Sequence, residues 1–138
     1  MSDRLAHIVR EAARAFTRDL TARLAEHGVS FGHWAFLRIL WQSDGLTQRE
    51  LSEQAGVAEP TTAAALKAME ELGYVERRQL PENRKNVYVH MTPKGRALRA
   101  KLEPLAIAVN KTAVRNVAAG DLAACRRALL AVLDNLKA

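Results

Sequence analysis

The sequence predicts a mainly α-helical domain carrying one small β-hairpin. Three observations predict it. Apolar residues recur three or four apart through most of the 138 residues, the period of amphipathic helices. Between residues 74 and 91 the period changes to β-branched and aromatic residues in partial alternation, the pattern of strands. Glycine, proline and capping residues stand where those segments should stop and start.

The first helix is read from Arg4 to His27, with Leu5, Ile8, Val9, Ala12, Phe16, Leu20 and Leu24 on one face and Gly28 as its stop. At 1.5 Å per residue it is roughly 36 Å long. Ser30 can cap a second helix through Trp34, Leu37, Leu40 and Trp41, which Asp44-Gly45 ends. Thr47-Gln48-Arg49-Glu50 is a capping box opening a short third helix, closed by Gly56. Pro60 suits the first turn of the next helix, residues 60–72, which Gly73 ends. Residues 74–78 and 86–91 read as two strands, and residues 79–85 as a long basic tip between them. Thr92-Pro93 is an N-cap followed by proline. It opens a long helical pattern through Leu98, Leu102, Leu105, Val109, Ala113 and Val117, with Pro104 expected to kink it. Gly120-Asp121 should break the run before a last helix with Leu122, Cys125, Leu129, Val132, Leu133 and Leu136.

One domain accounts for a chain of this length. Hydrophobic residues make up 49% and charged residues 26%, which excludes a disordered chain. No apolar run approaches ~18 residues, and charges interrupt the N-terminal segment, so neither a membrane span nor a signal peptide is expected. The expected location is the cytoplasm. Cys125, alone, can build neither an internal disulfide nor a zinc site. The net charge is +6, with a sequence pI near 10.0, one mark of a nucleic-acid binder. The excess is uneven: +1 over residues 1–44, +1 over 45–96 and +4 over 97–138.

Residues 45–91 therefore read as a capped helix, a tight turn, a second helix and a hairpin. That order is a winged helix-turn-helix, in which the second helix enters the DNA major groove and the first braces it. A basic wing suits the flanking minor groove. The apolar stripes of the first helix and of the last two are too large for this small unit to cover. Exposed stripes of that size mark an interface. The expected organisation is one domain over 1–138, with dimerisation helices at 1–28 and 98–138 and a DNA-binding part at 30–96.

The residues Leu46-Thr47-Gln48-Arg49-Glu50-Leu51-Ser52, Val57, Met69-Glu70-Glu71-Leu72-Gly73-Tyr74-Val75-Glu76-Arg77, Asn83-Arg84, Val87-Tyr88-Val89 and Met91-Thr92-Pro93-Lys94-Gly95 follow one another in an order that resembles the MarR family of bacterial regulators. The stretch from Gly32 to Trp41, followed by Glu59-Pro60-Thr61-Thr62, resembles one subgroup of it. The resemblance implies a homodimeric winged-helix repressor released from a palindromic operator by a small, often aromatic, ligand. The chain departs from the family where the wing usually carries Asp-Arg. Here Asn83 precedes Arg84, and an amide accepts a hydrogen bond without bringing charge.

The candidate DNA contacts are Thr47 and Gln48 on the bracing helix, Glu59, Pro60, Thr61, Thr62, Ala64 and Lys67 on the recognition helix, and Arg77, Asn83, Arg84 and Lys85 on the wing. Threonine methyls suit thymine methyl groups, and no arginine there can read guanine bidentately. The candidate effector residues are Arg14, Phe16 and Arg18 on the first helix with His33, Trp34 and Arg38 on the second. The resemblance places that pocket where these helices meet the start of the long helix after Pro93. An aromatic wall with a cation suits a planar carboxylate or phenol. No cofactor and no metal are expected. An enzyme finds no support: the histidines at 7, 27, 33 and 90 are scattered and no phosphate loop or metal motif occurs. Two other readings stay open. One is a redox sensor through Cys125, although its place on an apolar stripe reads as buried and inert. The other is a DNA-binding protein that answers to no ligand.

Overall fold

The computed structural model describes residues 4–137, with the side chain of Arg84 outside the described set. Residues 1–3 and 138, assigned above to the dimerisation helices, also lie outside it. The elements run α1 (Leu5–Ala25), α2 (Phe31–Gln42), β1 (Leu46–Thr47), α3 (Gln48–Ala55), α4 (Glu59–Glu71), β2 (Val75–Leu80), β3 (Asn83–Met91), α5 (Pro93–Ala97), α6 (Arg99–Ala113) and α7 (Ala119–Asn135).

α2 is the centre of the fold. It buries Trp34, Phe36, Leu37, Ile39 and Leu40, so it is apolar nearly all round, as a helix enclosed by others must be. Leu24, Leu51, Leu66, Met69, Val75, Val89 and Leu102 converge on it from the other elements. Ser30 caps α2, its hydroxyl accepting from the His33 N–H at 3.2 Å.

The sheet is antiparallel with strand order β1-β3-β2. β1, absent from the sequence reading, pairs Leu46 with Val89 and Thr47 with Tyr88. The basic tip is also shorter than expected. β2 continues to Leu80 and β3 starts at Asn83, leaving a two-residue turn at Pro81-Glu82. Only Val75 of β2 is buried. The outer ribbon has no core to face, so its side chains read as a turn while its backbone pairs on, across an irregularity between Arg78 and Leu80.

The long helix after Pro93 is likewise corrected. It is divided at Leu98, runs unbroken through Pro104 and stops at Ala113. Pro104 and Ala100, whose carbonyl loses its helical donor, are both exposed, so the lost bond falls on the solvent side of the helix. The break expected at Gly120 comes earlier, over residues 114–118, where Asn116 takes a left-handed φ of 65°. Gly120 lies inside the first turn of α7.

No residue of α7 is buried, so Cys125 is exposed in the single chain rather than buried as its stripe suggested. Leu130 and Leu133 are 60% and 68% exposed, and Leu5 and Ile8 of α1 are 55% and 60% exposed. Among the described residues, no helix is long and apolar enough to cross a membrane.

Candidate nucleic-acid interface and adjoining clefts

The two helices of the candidate DNA-binding unit are set by local hydrogen bonds. The Thr47 hydroxyl accepts from the Glu50 N–H at 3.1 Å, and the Glu50 carboxylate accepts from the Thr47 N–H at 2.9 Å. Accepting the Thr47 backbone bond, and then the interaction with its hydroxyl, holds the Glu50 carboxyl below its usual pKa. Gly56 closes α3 at φ +69°, a left-handed turn that costs glycine little.

Across that turn Ser52 Oγ and Thr62 Oγ1 lie 2.7 Å apart in a hydrogen bond. Thr62 is fully buried. The structure therefore removes Thr62 from the candidate base contacts: its hydroxyl joins α4 to α3. Glu59, Pro60, Thr61, Ala64 and Lys67 are exposed. Residues 60, 64 and 67 fall on one face at helical spacing, with Thr61 beside it. Thr47 and Gln48 are half-buried at the start of α3.

On the wing, Arg77 is half-buried and bonded to the recognition helix. Its Nη2 donates to Glu70 Oε1 at 3.0 Å and its backbone N–H to Glu70 Oε2 at 3.1 Å. β2 is thereby tied to α4. Arg78 pairs with Glu76 at 2.8 Å. Lys85 is exposed and Asn83 half-buried opposite Leu80. Arg84 is the second residue of β3.

The Arg77 bonds hold the Glu70 carboxyl below its usual pKa, side-chain bond first and backbone bond second. A depressed folded-state pKa adds stability that is present above the unfolded value, near 4.5, and is lost as pH falls through the folded value. Glu70→Gln is therefore expected to flatten the acid limb of stability below about pH 4.5. The loss at neutral pH should stay below about 1 kcal/mol, because solvent screens this part-exposed pair. Urea unfolding of both proteins between pH 3 and 7 checks this (two parallel acid limbs would contradict it).

A cleft of about 260 Å³ opens between α1, α2 and α6, with Phe16, Phe31, Trp34, Arg38, Val109 and Asn110 among its lining. It brings together three of the six candidate effector residues: Phe16, Trp34 and Arg38. The other three do not line it. Arg14 and Arg18 are exposed on α1, and Arg14 faces Glu11 at 3.6 Å. His33 is half-buried, and burial lowers its pKa, favouring the neutral ring. Phe31 was not among the candidates, though it belongs to the run of five aromatics between positions 16 and 41. On the other side of Arg38 a second cleft of about 210 Å³ adds Trp41, Arg99 and Glu103. The two indoles meet edge-on, with centroids 5.7 Å apart and planes at 71°. A larger open groove, about 870 Å³, lies between α1, α6 and α7 and includes Phe16, Ile107, Cys125 and Leu129.

Comparison with known proteins agrees with this arrangement. The family model described as MarR family matches residues 29–87, from just before α2 into β3. The chain is 30% identical over 105 residues to the HTH-type transcriptional regulator TtmR of Methylorubrum extorquens, over 76% of this chain and 54% of that protein. It thus spans about half the length of that relative. Among solved structures, the transcriptional regulator PA3341 is 32% identical with a TM-score of 0.83, covering 95% of this chain and 96% of that one. The Mycobacterium tuberculosis MarR family protein Rv2887, solved in complex with salicylic acid, shares the fold at 23% identity and a TM-score of 0.72, over 93% and 95% of the two chains. With its exposed recognition helix, paired wing and central α2, the chain belongs to the MarR family of transcriptional regulators.

Proposed function

We propose that the protein is a homodimeric repressor that leaves a palindromic operator when a small aromatic acid or phenol binds. The observation that carries this reading is the double use of α2. Its Trp34 and Arg38 side lines the cleft against α1 and α6, while Leu37, Ile39 and Leu40 lie in the core shared with α3, α4 and β3. A ligand on the first side stacks on an indole and meets one guanidinium, which among the described residues has no ion-pair partner. That suits a planar carboxylate. The salicylic acid complex of the Mycobacterium tuberculosis relative supports the ligand class. The effect is a population shift, limited to the ligand's difference in affinity for the two forms.

Dimerisation through α1, α6 and α7 covers the exposed leucines and the α1–α6–α7 groove. Cys125 lines that groove, so the same dimer shields its thiol, which counts against the redox reading. A dyad through these helices sets two recognition helices on half-sites about 10 base pairs apart.

The test begins with duplexes recovered by the protein from a random library. The recovered sites should be palindromic. Arg84→Ala should weaken binding and lower the salt slope by about 0.9 for each phosphate the wing no longer neutralises. Salicylate should release the wild type, and Arg38→Ala should need at least about tenfold more of it. Recovered sites without dyad symmetry contradict the dimer. An Arg84→Ala slope equal to wild type shows that the wing does not touch DNA through Arg84. A wild type released by no benzoate, salicylate or phenol leaves the ligand-independent reading in place.

A further inference from the structure

Residues 91–96 lie between the exit of the recognition helix and the end of α2, and they are bonded to both. On the recognition-helix side, the Thr92 N–H donates to the Tyr74 carbonyl at 3.1 Å. The Thr92 hydroxyl donates to the Gly73 carbonyl. Lys94 Nζ donates to the Leu72 carbonyl at 2.8 Å. Leu72 is the C-cap of α4. Three consecutive carbonyls where α4 ends are thus held by one short segment. On the α2 side, Trp41 Nε1 donates to the Gly95 carbonyl at 3.0 Å. Asp44 accepts from the Met91 N–H at 2.7 Å and from Arg96 Nη2 at 3.2 Å.

The segment has little slack. Gly95 is buried, and a Cβ there would sit 2.2 Å from the Tyr74 carbonyl oxygen. Trp41 is part-buried against the core. Its ring meets Trp34 edge-on and lines the second cleft beside Arg38. A displacement of α2 therefore reaches the Gly95 peptide through a stiff ring and one directional bond. It continues through Thr92 and Lys94 to the end of α4. An all-apolar contact would let the two parts slide, whereas a bond to a fixed carbonyl does not.

We propose that Trp41 is a positioning residue for DNA binding, and that its hydrogen bond to Gly95 ties the setting of the recognition helix to the position of α2. This rests on the DNA-binding reading, and it deepens the effector reading by naming the route from the Trp34–Arg38 cleft to α4. Coupling is reciprocal. DNA bound at α4 must then be felt at Trp41, with no effector present.

The chain contains two tryptophans, so indole-labelled protein gives two ¹⁵N–H signals, and Trp41→Phe assigns them. The protein is titrated with a duplex that the wild type recovers from a random library. The Trp41 indole signal is expected to move in step with saturation, although Trp41 belongs to neither α4 nor the wing. In Lys94→Met, which removes an exposed bond to Leu72, the duplex should still bind and the movement should shrink. Trp41→Phe keeps most of the ring packing. It should discriminate the recovered duplex from a scrambled one about fivefold less well than wild type. Loss of packing alone would change the melting temperature and leave that ratio as it was. An indole signal that stays still at saturation overturns the proposal, and so does a Trp41→Phe ratio equal to wild type. Should Trp41→Phe not fold, Trp34→Phe assigns the two signals instead, and the wild-type and Lys94→Met titrations then decide. A wild type that recovers no preferred duplex overturns the DNA-binding reading, and this proposal with it. A recovered duplex with a still signal overturns this proposal alone.

Discussion

Gly95→Ala is expected to lower stability by about 3 kcal/mol, the upper end for forcing extra volume into a packed site. The reason is steric. The added Cβ would lie 2.2 Å from the Tyr74 carbonyl oxygen and 3.1 Å from Met91 Cε. Met91 can move its flexible end. The Tyr74 backbone cannot, because its N–H donates to the Met69 carbonyl at 2.9 Å and its carbonyl accepts from Thr92. Relief must therefore come from moving α5 off the end of α4. For a domain of this size the melting temperature should fall by about 10 °C. Urea unfolding should show a lower midpoint with an unchanged slope. An alanine variant within about 0.5 kcal/mol of wild type would show that α5 packs more loosely than the structure has it.

Leu129→Asp is expected to turn the proposed dimer into a monomer. In the single chain Leu129 is 37% exposed, so the aspartate can be hydrated there and the chain should still fold. In the dimer each copy would bury an unpaired carboxylate, at about 3 kcal/mol each. Two copies weaken the dimer by roughly four orders of magnitude. Sedimentation at micromolar concentration should show a dimeric wild type and a monomeric variant. A monomeric wild type, or a variant that dimerises equally well, would end this reading. Binding to a palindromic duplex should weaken in parallel, because the second half-site no longer benefits from the first.

What could be read from the sequence follows the range of the interactions that decide it. The Ser30 cap, the Thr47–Glu50 box and the Thr92-Pro93 start are formed within one helical turn, and the structure has them where their residues indicate. β1 is two residues long and exists only because β3, some 40 positions later, pairs with it. No local pattern announces such a strand. Thr62 shows the same limit. A threonine in the first turn of a recognition helix suits a base contact, and only the position of Ser52 on the preceding helix turns it inward. Arg77 was legible as a wing cation but not as the partner of Glu70, seven residues back across a turn. In the clefts, composition pointed to Phe16, Trp34 and Arg38, while helix rotation decided the rest. Positions two apart on a helix point about 200° from each other. Once Phe16 faces α6, Arg14 and Arg18 must face away. His33, one position before Trp34, is turned about 100° off the cleft for the same reason.

The bare surface of α7 has a consequence for the lifetime of the protein in a cell. Within one chain this 17-residue helix buries none of its residues. Segments with so little packing open easily and are cut first by proteases. Under the proposed dimer, a newly made chain is vulnerable until it meets a second copy, and degradation falls on the unpaired fraction. Turnover would then fall as copy number rises. A regulator built this way clears itself when scarce and persists once it is abundant enough to pair.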